Sequence, residues 1–214
     1  MNSGFLINLF EKAQMPLGLD GEREEKFYIY LKELQKWNEK INLTAIKSES
    51  EIVEKLFLDS VYFLKFLPIR PGSVCLDIGS GAGFPGLPIK ILCPETDLTL
   101  LEATKKKGAF LKHLIRILSL SKCQVIIKRF EEICNDESFK RKFDFITIRA
   151  VSLSQKLILH AYNLLKDEGA FLYFGGEKGG IESFLAKSPF AKIEAKEYKL
   201  PVSKLSRTLL TFRK

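Results

Sequence analysis

Four cysteines and two histidines are all that this 214-residue chain has in the way of soft metal ligands. Cys75, Cys93, Cys123 and Cys134 stand far apart, with no CxxC pair and no histidine cluster, so no metal site is expected. Cys75 falls in one apolar run and Cys93 at the end of another, and both read as small core residues in a reducing compartment. No apolar run reaches the length of a membrane span. Met1 to Ile7 lacks the basic region, apolar core and small-residue cleavage site of a secretory signal, and the expected location is the cytoplasm. No internal repeat or low-complexity stretch is present.

Acid is missing where base is dense. Between residues 103 and 130 stand Lys105, Lys106, Lys107, Lys112, Arg116, Lys122, Lys128 and Arg129, with no Asp or Glu. The net charge of +8 is uneven: residues 1–70 hold 10 Lys and Arg against 11 Asp and Glu, whereas 71–214 hold 24 against 15. A one-sign stretch of this kind suits either a polyanion such as nucleic acid or a plain solvated face.

Glycine is absent between Glu22 and Pro71, which favours helix there. Phe27, Tyr30, Leu31, Leu34 and Trp37 recur at helical spacing, so a helix of about five turns is expected. Trp37 is expected to pack against a sheet. Ser48-Glu49-Ser50-Glu51 resembles a capped start leading into Ile52, Val53, Leu56, Phe57, Val61, Phe63 and Leu64. Pro68 and Pro71-Gly72 end that helix. They divide a helical extension, residues 1–70, from a second part, residues 71–214.

In the second part glycine becomes concentrated. Val74 to Ile78 reads as a buried strand, followed by Gly79-Ser80-Gly81-Ala82-Gly83-Phe84-Pro85-Gly86 and an apolar helix from Leu87 to Leu92. Strand, glycine turn and helix bring backbone close to a nucleotide-like ligand. The register is ambiguous. Gly79-x-Gly81-x-Gly83 is a methyltransferase spacing, and Gly81-x-Gly83-x-x-Gly86 is a dinucleotide one. Asp77 favours S-adenosylmethionine (AdoMet), which carries an ammonium and a sulfonium, because a carboxylate at the strand end would repel a pyrophosphate. Glu102 ends the next strand, 23 residues after Gly79, where an acid commonly holds ribose hydroxyls. It fits AdoMet and NAD(P) alike.

Further strands are expected at 124–128, 143–149 and 169–174, with helices between, giving an α/β parallel sheet covered on both faces. Residues 191–200 and 207–212 read as a closing antiparallel hairpin. No cysteine lies on the loop after the fourth strand, where a base-attacking thiol would stand. Phe145-Ile146-Thr147-Ile148-Arg149-Ala150 also lacks the Asn/Asp-Pro-Pro-aromatic loop of exocyclic-amine methyltransferases.

Together these segments resemble the glucose-inhibited division protein B (RsmG) family of ribosomal RNA methyltransferases. The resemblance rests on Trp37-Asn38-Glu39-Lys40-Ile41-Asn42-Leu43-Thr44, Leu58-Asp59-Ser60, the run from Asp77 to Pro88, Leu101-Glu102, Lys106-Lys107, Phe110-Leu111, Arg129-Phe130-Glu131 and Arg149-Ala150. It implies a class I AdoMet-dependent fold with seven strands, the last antiparallel. The implied activity is methylation of N7 of a guanine in 16S rRNA by a cytoplasmic monomer acting on that RNA or on the small ribosomal subunit. By the same resemblance Gly79 and Phe84 contact AdoMet, Phe130 and Glu131 border its adenine, and Arg149 stands near the methyl donor; Asp77, Gly81 and Glu102, read from the turn and the strand ends, complete the expected cofactor contacts. By itself Arg149 reads more readily as a structural ion pair. The chain departs from the family at Leu56, commonly His, and at Phe174-Gly175-Gly176, commonly Lys-Gly. Two other functions stay open: an NAD(P)-dependent oxidoreductase, and a non-catalytic RNA-binding module with a retained cofactor pocket.

Overall fold

The computed structural model describes residues 4–175 and 188–214. Helix α1 (Gly4–Lys12) and helix α2 (Gly21–Ile41) come first. The start of α2 is fixed by Asp20, whose side chain accepts from Arg23 N, with Glu22 and Glu24 facing the positive end of the helix dipole. Asn42, at φ 49°, ends it in a left-handed residue. Phe27, Tyr30, Leu31 and Leu34 are fully buried along one stripe, as their spacing requires.

The helix expected from Ser48 onward is interrupted. A single α turn, α3 (Glu49–Ile52), passes into a π-helical turn (Val53–Leu58), then α4 (Asp59–Val61) and a 3₁₀ turn (Tyr62–Lys65). The Ser48 side chain makes no capping bond to the helix; its Oγ meets Ser50 Oγ instead.

Seven strands follow: β1 (Val74–Ile78), β2 (Asp97–Leu101), β3 (Cys123–Ile126), β4 (Phe143–Arg149), β5 (Leu165–Gly175), β6 (Lys192–Lys199) and β7 (Ser206–Arg213). They form one sheet in the order β3-β2-β1-β4-β5-β7-β6. Only β7 runs antiparallel to the rest, pairing with β5 and β6. The sheet order reverses between β1 and β4, which opens a crevice at the carboxyl ends of those strands. Strand β5 begins earlier than expected. Leu165 pairs with Phe143 ahead of an irregularity, and regular pairing resumes at Ala170.

Helices α5 (Gly86–Leu92) and α6 (Lys105–Ile117) share one face of the sheet with the N-terminal helices, whereas α7 (Phe130–Cys134) and α8 (Gln155–Leu164) cover the other. One apolar core therefore crosses residue 70: Phe27, Phe57 and Phe63 belong to the same cluster as Leu87, Phe110 and Phe174. Trp37, expected against the sheet, meets Phe110 and His113 of α6. Leu56 is buried in this apolar core.

Candidate active site

The turn between β1 and α5 is held from within. Ser80 N donates to Leu101 O at 3.0 Å, and Gly83 N and Phe84 N both donate to Ser80 O. Gly79, Gly81 and Gly83 all have positive φ, at 66°, 57° and 99°. Beyond that shared need they divide into two kinds. A Cβ on Gly79 would meet only Val151 at 3.4 Å, and one on Gly81 only the Gly79 carbonyl at 3.7 Å, so their outer side is open. A Cβ on Gly83 would fall 2.5 Å from Tyr30 Oη, and one on Gly86 2.8 Å from Asp77 Oδ2 and 2.6 Å from Leu100. The first pair leaves a cradle for a ligand; the second allows close packing beneath it.

Both predicted carboxylates bind the turn itself. Asp77 has no exposed surface; its Oδ1 accepts from the Thr147 hydroxyl at 2.8 Å and its Oδ2 from Gly86 N at 3.3 Å. Burial pushes its pKa up to about 6, against hydrogen bonds that favour the charged form. Glu102 Oε2 accepts from Gly81 N at 2.9 Å and its Oε1 from Thr104 N at 2.8 Å. A dinucleotide would need these same donors for its pyrophosphate, above all the one at the start of α5. Here carboxylates occupy them and make the turn negative. A nucleoside with cationic substituents fits this cradle, and a diphosphate does not.

Phe84 is buried beneath the turn. Its ring stacks on Tyr30 at 5.4 Å between centroids and lies 5.8 Å from Phe57. Arg149, at the carboxyl end of β4, is mostly buried and bonded to the helical segment: its Nη2 donates to Lys55 O at 2.6 Å and to Asp59 Oδ2 at 2.9 Å, and its Nη1 to Ser60 Oγ at 3.2 Å. The next residues, Ala150 to Leu153, carry Val151 up to Gly79. Phe130 and Glu131 open α7 beyond β3, Phe130 half-buried and edge-on to His160, Glu131 exposed. Asp77, Gly79, Gly81, Glu102 and Arg149 thus all stand at the carboxyl ends of the adjacent strands β1, β2 and β4.

A family described as rRNA small subunit methyltransferase G (GidB) matches residues 23–210. The chain belongs to this family. Its relatives named Ribosomal RNA small subunit methyltransferase G include one from Dictyoglomus thermophilum, 42% identical over 80% of this chain and 72% of that protein. Another, from Caldanaerobacter subterraneus, is 40% identical over 90% of this chain and 81% of its own length. Among solved structures, a SAM dependent methyltransferase from Aquifex aeolicus superposes with a TM-score of 0.58 at 16% identity, covering 79% of this chain and 96% of the other. TYW2 from Pyrococcus horikoshii, solved with MeSAdo, gives 0.57 at 18% identity, covering 74% and 62%. The fold is that of the class I AdoMet-dependent methyltransferases, and this member of the GidB family is a methyltransferase.

Other features of this GidB chain lie apart from the crevice or support its walls. Asn38 pins the turn after α2, its amide bonding both Thr44 N and Thr44 O at 2.8 Å. His113 meets Glu33 at 2.7 Å. Burial raises the pKa of every thiol, Cys93 and Cys134 to about 11 and Cys123 to about 12, so none is a ready nucleophile. No cluster of metal-ligating side chains occurs among the described residues. The glycine run Gly176 to Gly180, with Lys178, lies outside them.

Two elements of the site escape sequence reasoning. One is Tyr30, whose hydroxyl donates to Ala82 O at 2.5 Å and so ties α2 to the glycine turn. The other is Asp59, a buried acid that follows the apolar run Leu56-Phe57-Leu58. That mismatch is itself a legible signal, since a carboxylate is seldom buried without a partner.

Proposed function

We propose that this protein transfers a methyl group from AdoMet to N7 of one guanine in 16S RNA of the small ribosomal subunit. One observation carries the reading. The backbone donors Gly81 N and Gly86 N are engaged by Glu102 and Asp77, while Gly79 and Gly81 keep an open outer surface. That environment suits a cationic nucleoside better than NAD(P). The relatives' names supply the RNA.

When bound, AdoMet supplies a sulfonium methyl group that a lone pair can take. The protein has to bind, orient and exclude water. Gly79 and Gly81 lend backbone surface, with Phe84 fixing their turn from below. Glu102 retains lone pairs suited to ribose hydroxyls after its two bonds to the turn. Asp77 contributes negative potential from a buried position. Phe130 and Glu131 border the adenine, and Arg149 presents its remaining N–H donors at the end of β4. Guanine N7 carries an in-plane lone pair, so no residue has to remove a proton before attack. The absence of a poised thiol accords with this chemistry.

The RNA grip is assigned to α6. Its first turn holds Lys105, Lys106 and Lys107 and no acid, an arrangement that opposes the helix dipole. Lys112, Arg116, Lys122, Lys128 and Arg129 extend the exposed basic surface. The guanine has to be presented unpaired or flipped. On this reading residues 1–70 brace a catalytic part, 71–214, and the protein acts as a cytoplasmic monomer. No described helix is long and apolar enough to cross a membrane.

The test is transfer of tritium from labelled AdoMet to 16S RNA, free and in small subunits, followed by chain cleavage at N7-methylguanosine. A single cleavage position is expected. Absence of label on both substrates, or label on an exocyclic amine, would contradict the proposal.

A further inference from the structure

The π-helical turn does something an α turn there could not. In regular helix the Asp59 N–H would donate to Lys55 O; here it donates to Glu54 O. The Lys55 carbonyl instead accepts Arg149 Nη2, the side chain at the end of β4. Four residues further along, Asp59 takes a second bond from the same nitrogen. Ser60 adds a third through Nη1 while its own hydroxyl donates to Leu56 O at 2.5 Å. Three of the five guanidinium N–H donors are thereby fixed from one face. Its Nε and the second Nη1 hydrogen have no acceptor among the described residues.

Asp59 is held just as firmly. Its side chain is 3% exposed. Oδ1 accepts from Tyr198 Oη at 2.7 Å, on β6, and Oδ2 accepts from Arg207 Nε at 2.9 Å, on β7. Two guanidiniums share one carboxylate oxygen, so the cluster keeps a net positive charge. Arg149, Arg207 and Tyr198 lie on one face of the sheet at its carboxyl end, by the register of β4, β5, β7 and β6. A buried ion pair adds little stability compared with apolar packing, so this much polar machinery calls for a use.

The geometry points to Asp59 as a positioning residue: with the π turn and Tyr198 it holds Arg149 in one orientation, its two spare N–H donors presented at the crevice beside Gly79. The inference rests on the proposed role of Arg149 toward AdoMet and names what makes that role possible. Glu54 offers an internal contrast. It is equally buried and lies in the same turn, but its carboxylate only anchors the backbone N–H groups of Val202 and Ser203 between β6 and β7.

The test compares Asp59→Asn, Ser60→Ala, Tyr198→Phe, Arg149→Lys and the double variant Asp59→Asn/Arg149→Lys in the full chain. AdoMet affinity is read by calorimetry, methyl transfer by single turnover, and folding by circular dichroism. Asp59→Asn should raise the AdoMet Kd about tenfold or more, and Arg149→Lys by a similar factor. The double variant should be no worse than the poorer single variant within about threefold, because both changes remove one device. Ser60→Ala and Tyr198→Phe, which keep the charge and the packing, should each cost a few-fold in Kd and lower Tm only by what the loss of one buried hydrogen bond brings. They carry the test should Asp59→Asn fail to fold. Glu54→Gln should lower Tm without raising the Kd of the folded protein.

Folded Asp59→Asn, Ser60→Ala and Tyr198→Phe variants with unaltered Kd and transfer rate would overturn the inference. So would losses that multiply in the double variant. If the unaltered protein itself fails to bind AdoMet, the underlying functional reading falls, and this inference falls with it.

Discussion

The Tyr30 and Phe84 rings lie 9° from parallel at 5.4 Å, and the Tyr30 hydroxyl reaches the Ala82 carbonyl at 2.5 Å. A helix that precedes the sheet thus clamps the glycine turn from below, by ring stacking and by a hydrogen bond within 2 residues of each other's attachment points. The N-terminal helices are part of the site's scaffold and share its core.

Tyr30→Phe and Tyr30→Ala separate the two contributions. Loss of the hydroxyl alone leaves Ala82 O without its partner and should cost about 1–2 kcal/mol. Loss of the ring should cost about 3–5 kcal/mol by analogy with other buried aromatics. Denaturant unfolding checks both values. In the folded fraction each variant should also bind AdoMet more weakly, because the turn is no longer held.

The two kinds of glycine in the turn make opposite predictions. Gly83→Ala places a methyl group 2.5 Å from Tyr30 Oη and 2.6 Å from Leu87. Overpacking and positive φ together should destabilise the fold by about 2–5 kcal/mol. Gly81→Ala meets no such neighbour and should cost about 1–2 kcal/mol, from its positive φ alone. Its methyl group stands on the open side of the turn, however, so AdoMet affinity should fall at least about tenfold. Thermal unfolding beside calorimetry distinguishes the two.

Asp77 predicts a trade between stability and binding. Burial holds its folded pKa near 6, above the ordinary value of 3.8. The native chain therefore holds this proton more tightly than the unfolded chain, and the contribution of this group to stability declines as pH rises from about 4 to about 6. A difference of that size corresponds to about 3 kcal/mol. Asp77→Asn should abolish that slope and be the more stable protein at pH 7, by up to about 3 kcal/mol, while binding AdoMet more weakly. Urea unfolding across pH 4 to 8 measures it. A variant less stable than the parent at pH 7 would refute the electrostatic part of the account.

The basic turn of α6 should act on RNA and not on the cofactor. Replacing Lys105, Lys106 and Lys107 by Ala should weaken RNA binding and reduce the slope of log K against log salt by about 2, at about 0.7 per phosphate contact on single strands. AdoMet affinity should stay unchanged. Filter binding at several salt concentrations is sufficient.

Much of this architecture is legible in the sequence because it depends on local pattern. Short apolar runs place β1, β2 and β4 within a residue or two, and the change to alternation after residue 190 marks the antiparallel hairpin. Three glycines after Ile78 mark the cofactor turn. What stays hidden depends on partners distant in the chain. The π turn at Val53–Leu58 has no sequence signature; it goes with Arg149 and with the β6–β7 turn, more than 90 and 140 residues away. The Asp77 carboxylate reads as open to a ligand, yet it is enclosed by Thr147 and Gly86, which only the sheet register brings to it. Trp37 reads as covering a sheet because α6 and α2 cannot be paired from periodicity alone.

The most direct measurement is calorimetric titration of the full-length protein with AdoMet and, separately, with NADH. Saturable one-to-one binding of AdoMet, lost in Gly81→Ala, with no heat from NADH, is the predicted result. Binding of NADH with none of AdoMet would contradict the claim that carboxylates at Gly81 and Gly86 reserve this turn for a cationic nucleoside.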